Sequence, residues 1–429
     1  MLKKIYQFLK KAKDRYFSDS ILLLLPQFIS LGISLITLPI ILDNLLIEDY
    51  GRFQFVLAIE MWVLALTGSY ITSGVKSAIA NGFKGTFLYA FFFRMKLALI
   101  MALFAIIAVI VCLYLQLYII STLLIVIFIY AFFGQIVNTS FINYLIATKR
   151  FKAKAIWEII IAVIVNLASL ISAYYFHNII IFAISQFGSL IILSWVGFIY
   201  VSKKDNLYSE YKNKNIDKKC VSYGLKMIPA NIINITSAKL SSVIIGPFLG
   251  YSILSTFSIA NNLRDKFSFA VRIIDPLFYA DFAKQNKKDL INAVKPRLKI
   301  FFIFSIIFTI IVIAVGYMYI HYFFPQEYQI SKMYFVILAL TFPFSSVSFI
   351  LDVLLQSHLL HKEKSVGSIT VDIIKILLIL IFGYFWGIIG ICIAITISSW
   401  IGFIVYYLLI YGPKSFRTYS NRENITINK

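Results

Sequence analysis

Long apolar stretches with almost no charge recur from one end of this chain to the other, and no other feature restricts its fold as strongly. Only 14% of the 429 residues are charged, whereas 60% are hydrophobic. Soluble chains carry about 25% charged residues. A bilayer is the one solvent in which so much apolar surface is stable, and inside it the backbone must satisfy its own hydrogen bonds, which favours helices. The sequence therefore predicts an all-α integral membrane protein, and helices rather than soluble domains are the units to count.

A spanning helix needs about 20 apolar residues. On that criterion helices are expected at 20–42, 53–75, 97–117, 119–147, 155–176 and 179–201. After a polar connection, others are expected at 222–249, 251–280, 299–321, 333–357, 366–384 and 387–411. That makes about twelve. The basic stretch before Ile21 resembles a signal peptide, but the apolar run is long and lacks a small-residue cleavage site. It reads as the first membrane helix.

The net charge of +21 does not form one patch. Basic residues sit in short clusters between apolar stretches, and the clusters alternate. Thirty-two Lys and Arg fall in the two tails and in alternate loops, against only Arg52 and Lys332 in the other loops. The positive-inside bias then places both termini in the cytoplasm and supports an even helix count. The distribution argues against a nucleic-acid partner. Cys112, Cys220 and Cys392 show no pairing or metal spacing, and His358 and His361 have no further ligands near them in sequence, so no metal is expected. The absence of a Walker sequence or nucleophile motif predicts neither a cofactor nor enzymatic turnover.

The chain also repeats itself. Pro26 recurs as Pro229, the Tyr50–Phe53 segment as Leu254–Phe257, and Trp195-Val-Gly-Phe-Ile as Trp400-Ile-Gly-Phe-Ile, all at nearly one offset. Two parallel six-helix halves are expected: an N-lobe at 1–201, a cytoplasmic linker at 202–220 and a C-lobe at 221–429, with a site between the lobes.

The stretch from Pro26-Gln-Phe-Ile-Ser through Leu38-Pro39-Ile to Glu48-Asp49-Tyr50-Gly51 resembles the opening of polysaccharide exporters in the multidrug/oligosaccharidyl-lipid/polysaccharide (MOP) superfamily. Tyr223-Gly224 through Pro229, with Gly246-Pro-Phe-Leu-Gly250 and Phe257-Ser-Ile-Ala260, resembles the helix 7–8 signature of its Wzx-type O-antigen flippases. Lys239 departs from the pattern, standing where many members have an acidic or polar residue. The resemblance implies two pseudo-symmetric lobes in a MATE-like fold, located in the bacterial inner membrane and serving O-antigen and lipopolysaccharide biosynthesis. It implies an undecaprenyl-pyrophosphate-linked oligosaccharide as substrate, crossing from the cytoplasmic to the periplasmic leaflet by alternating access. Membrane lipid, a polysaccharide polymerase and chain-length proteins are the implied partners. A multidrug antiporter coupled to a cation is the alternative on the same fold.

Moving a pyrophosphate through hydrocarbon requires cations in a wet cavity, because each ionised side chain facing lipid at the midplane costs about 2.5–3.5 kcal/mol. In the eighth expected helix Asn261, Arg264, Asp265, Ser268 and Arg272 recur at helical spacing, with Asn262 and Lys266 beside them. Arg264 suits a phosphate because its guanidinium donates in a fork. Lys239 and Lys226 in the seventh helix complete the expected substrate-binding set. Asp265 and Glu60 are expected to pair charges or couple an ion, Glu60 with a cation of helix 7 or 8. Asp372 and Lys375, three apart, are expected to neutralise each other. Pro26, Pro39, Pro229 and Pro247 are expected to break the hydrogen-bond ladders of helices 1 and 7. The apolar helices 3, 9 and 12 are expected at the lipid-facing periphery.

Overall fold

A computed structural model describes residues 16–68, 71–226, 228–272, 287–357 and 361–412. The secondary structure is helical throughout these residues. In chain order the helices are α1 (Tyr16–Asp43), α2 (Ile47–Leu66), α3 (Ile71–Ala80), α4 (Thr86–Tyr114), α5 (Tyr118–Tyr130), α6 (Ile136–Ala147), α7 (Phe151–Phe176) and α8 (Ile179–Lys204). They continue as α9 (Leu207–Lys212), α10 (Lys219–Lys226), α11 (Ile228–Leu249), α12 (Tyr251–Arg272), α13 (Lys287–Phe323), α14 (Ser331–Ala339), α15 (Phe342–Ser357) and α16 (His361–Tyr411).

Among the described residues, eight spans are long and apolar enough to cross a membrane, and the pair of segments at 326–339 and 342–355, bent by 46°, makes a ninth. The 51-residue α16 is two helices joined at a kink at Gly387. The remaining expected spans are α2 and α12, whose charged side chains set them apart from the rest. Each of the twelve expected segments is thus helical over most of its described residues, and the chain is a multi-pass membrane protein.

The short turns that separate consecutive segments have a common cause. Gln116, His177, Gly250 and Gly387 all have positive φ, so a single left-handed residue turns the chain at each expected corner. At His177 the next residue completes the turn: the Asn178 carboxamide oxygen accepts from the Ile180 and Ile181 amides and so caps α8.

Other expectations need correcting. The second expected helix is broken: α2 stops at Leu66, Gly68 turns with φ 73°, and α3 starts at Ile71. The tenth breaks between α14 and α15, and the fourth contains a π-helical turn at Ala131–Gln135. The prolines act differently from expectation. Pro26 and Pro39 lie inside an α1 that runs on as one helix, and Pro247 lies inside α11. Pro229 lies near the start of the described part of α11.

The chain forms two compact units. The first comprises residues 1–235 and 250–255. In it α1 packs on α7, α7 on α8, and α5 and α6 on α8. An aromatic core fixes these contacts, with Phe87 stacked on Phe198 and edge-on to Tyr144, and Phe141 edge-on to Trp157. The second unit comprises 236–249 and 256–429. There α13 packs on α14 and α15, which pack on α16, around Val294, Leu298, Val347, Leu351 and Leu354. The outward faces of α4 and α13 are apolar, as Leu99, Leu103, Phe104 and Ile310 illustrate.

The glycines of the recurring Trp-x-Gly motif sit in different surroundings in the two units. A Cβ on Gly197 would lie 2.8 Å from the Phe141 ring, and one on Gly402 would lie 3.4 Å from Val371. At Gly197 the missing side chain lets α8 approach α6 and α7, whereas a Cβ at Gly402 would make only an ordinary contact.

One polar latch ties three segments of the first unit. The Asp205 carboxylate accepts from Arg150 Nη2 at 2.7 Å and from the Tyr144 hydroxyl at 2.8 Å. Burial would raise the Asp205 carboxyl, but these hydrogen bonds and the guanidinium charge outweigh it and hold it below its ordinary value of 3.8. The latch therefore stabilises the fold fully above the ordinary carboxylate range and is lost as pH falls through the lowered value. Asp205→Asn should cost about 1–2 kcal/mol near neutral pH, and this cost should shrink in acid. Thermal unfolding of the purified protein across pH 3–7 measures both.

Candidate functional site

Charges inside membrane-spanning helices must be paired, hydrated or functional. The second unit gathers five of them. On α12 the Arg264 guanidinium donates to Asp265 Oδ1 through Nη2 at 2.6 Å and through Nε at 3.2 Å, and Asn261 Nδ2 donates to Asp265 Oδ2 at 3.3 Å. Helical spacing places Asn261 one turn before Asp265, which is why the bond forms. The Arg264 side chain is 17% exposed and that of Asp265 56%. On α16, Lys375 lies in the combined field of Arg264, Asp372, Asp265 and Lys239. The expected private pair of Asp372 and Lys375 is thus part of a larger cluster drawn from α11, α12 and the first arm of the kinked α16. Cys392, beyond the kink and buried, also feels Arg264.

The other expected residues are placed as follows. Lys239, Asn262 and Lys266 are half-buried. Lys226 is exposed at the end of α10 and belongs to the first unit, as does Glu60. Glu60 is buried on α2 and acts electrostatically on Tyr130, whose hydroxyl donates to Gln135 Oε1 in the π-helical turn. Arg272 ends the described part of α12, and its side chain, with His358, lies outside the described residues. Glu158 pairs with Lys154 one turn away, and Asp352 pairs with Lys364 at 3.3 Å.

One buried cation escapes a reading by hydropathy. Arg94 reads as a loop residue preceding an uncharged third helix. It lies instead within α4 and is 1% exposed. Its Nη1 donates to the hydroxyls of Thr139 at 3.0 Å and Ser140 at 3.4 Å, and its Nε to the Thr67 carbonyl at 3.4 Å. Thr67 is the C-cap of α2, where free carbonyls favour a cation. Among the described residues no carboxylate forms an ion pair with Arg94. The signal is present in the apolar run Thr86-Phe-Leu-Tyr-Ala-Phe-Phe-Phe93, which makes Arg94 an interior position of a longer helix.

Solved structures share this architecture across nearly the whole chain. The MATE multidrug transporter DinF-BH aligns at a TM-score of 0.63 with 15% identity, covering 93% of this chain and 95% of that one. The lipid II flippase MurJ in an inward closed conformation aligns at 0.57 with 14% identity, covering 91% and 87%. The chain has the MOP transporter fold. A MOP superfamily transporter from Pyrococcus furiosus, described as having a binding pocket of reversed polarity, aligns at 0.62 with 16% identity over 91% and 94%. At these identities the likeness is one of fold. No family model matches the sequence. No curated protein sequence matches it either.

Proposed function

We propose that this protein is a flippase that moves an undecaprenyl-pyrophosphate-linked oligosaccharide repeat unit, of an O-antigen or related surface polysaccharide, from the cytoplasmic to the periplasmic leaflet by alternating access. The observation that carries this reading is the charge balance of the cluster in the second unit. Lys239, Arg264 and Lys375 supply three cations against the two carboxylates of Asp265 and Asp372. A membrane-embedded cluster with surplus positive charge suits a pyrophosphate and repels a cationic drug. The sequence resemblance to O-antigen flippases and the fold shared with a lipid II flippase support the same class of cargo. On this reading Arg264 leaves Asp265 to grip the phosphate oxygens, with Lys239 adding charge and Asn261 and Asn262 offering hydrogen bonds to sugar. A polymerase and chain-length proteins would receive the unit on the far side.

Arg264→Glu would place a third carboxylate beside Asp265 and Asp372. Both Arg264→Glu and Lys239→Glu should abolish surface polysaccharide in a strain lacking its own copy, while membrane levels of the protein stay normal. Wild-type polysaccharide from both variants would defeat the assignment. The second reading, a cation-coupled multidrug antiporter, is favoured by the buried Glu60 and by the fold shared with a multidrug transporter. Raised drug resistance in an efflux-deficient strain, lost with Glu60→Gln, would establish it.

A further inference from the structure

A recess of about 780 Å³ opens in the first unit at the start of α4. It is lined by Tyr89, Tyr211, Lys212, Lys214, Lys218 and Lys219, with Ile216 and Asp217 among them. We propose that this recess binds the phosphate headgroup of an anionic membrane lipid.

The lysines are held on a shaped support. The segment between α9 and α10 is fastened to the α3–α4 turn. Asn215 Nδ2 donates to the Gly82 carbonyl at 3.0 Å, and the Asp217 amide donates to Thr86 Oγ1 at 2.8 Å. Gly85 fits closely beneath it, since a Cβ there would meet the Glu210 carbonyl oxygen at 2.6 Å and that of Asn215 at 2.7 Å. The carboxylates in this segment are engaged. Glu210 Oε2 accepts from Asn215 at 2.8 Å, and Asp217 Oδ1 accepts from the Lys219 amide at 2.9 Å. The recess therefore holds four lysines and one occupied carboxylate, while the lysine side chains reach solvent.

Its depth selects a lipid over a soluble anion. Tyr89 lies in the first turn of α4, and Phe92, about 4.5 Å further along the axis, is exposed and packs on Tyr211 with ring centroids 5.8 Å apart. From Leu99 onward the outer face of α4 is apolar. A phosphate among the lysines thus sits where headgroups lie, with an apolar track for acyl chains directly below. Basic recesses beside spanning helices suit anionic headgroups, and tyrosines occupy that level through their polar tips.

The test uses full-length protein in phosphatidylcholine nanodiscs or detergent, with native mass spectrometry counting retained phosphatidylglycerol. The wild type should retain phosphatidylglycerol over phosphatidylcholine. The variant K212Q/K214Q/K218Q/K219Q should weaken that retention by about 30-fold or more, and K149Q/K152Q around the start of α7 should not. Should the quadruple variant fail to fold, K212Q/K214Q and K218Q/K219Q should each give an intermediate loss. Millimolar inorganic phosphate should not displace the lipid. Undiminished retention by the lysine variants would overturn the proposal, and so would displacement by inorganic phosphate, which would reassign the recess to a soluble anion.

Discussion

Gly51→Ala should separate the start of α2 from the start of α12. A Cβ at Gly51 would lie 1.8 Å from the carbonyl oxygen of Tyr251, 2.6 Å from its carbon and 3.1 Å from its Cα. All three atoms are backbone, so no rotamer change relieves the clash and one helix end must move. The contact is built to be close. Arg52 is held by Glu48 at 2.6 Å and Asp49 at 2.8 Å, and its guanidinium lies 5.9 Å from the centre of the Tyr251 ring. The Phe55 and Tyr251 rings meet edge to face at 5.7 Å. Overpacking of this kind costs about 1–3 kcal/mol or more, and here it forces apart the two segments that carry the sequence resemblance. In a background without native cysteines, the pair F55C/Y251C should cross-link efficiently with a short bis-maleimide. Adding Gly51→Ala should cut that yield severalfold. Equal yields with and without the alanine would mean that this contact does not hold the two helices together.

Arg94→Met should destabilise the first unit by about 2–4 kcal/mol. The thioether fills much of the volume but leaves the Thr67 carbonyl without its donor at the end of α2. Thr139 and Ser140 keep their own bonds, since their hydroxyls donate back to the Gln135 and Ile136 carbonyls at 2.8 and 2.7 Å. The loss therefore falls on the union of α2, α4 and α6 and not on α6 alone. Arg94→Lys keeps the charge but not the fork, and should recover about half. Thermal unfolding in detergent gives the ranking, and equal stability of all three proteins would remove Arg94 from the structural account.

How much of this is legible in the sequence follows from the physics of each feature. Helices and corners are readable because apolar length and turn chemistry are local: His177-Asn178 and Gly250 mark their turns by residue type. The break at Gly68 is less visible because Leu66-Thr67-Gly68 sits inside a stretch apolar enough to continue. Arg94 escapes because a cation at the end of an apolar run reads as loop, whereas its partners Thr139 and Ser140 lie far along the chain. Spacing alone assigns Lys375 to Asp372, and only the fold brings Arg264, Asp265 and Lys239 near it. Pairing within one helix is written in the sequence, and pairing among three helices is not.

The four left-handed corners carry a consequence for how this protein tolerates change. A turn made by one residue has no slack, so a peptide tag or an evolutionary insertion at Gln116, His177, Gly250 or Gly387 must pull two helices out of register. New sequence can enter only where chain already lies outside the helical stack, in the lysine-bearing connections. Length variation among close relatives should therefore concentrate at one end of the helices and leave the other end nearly constant.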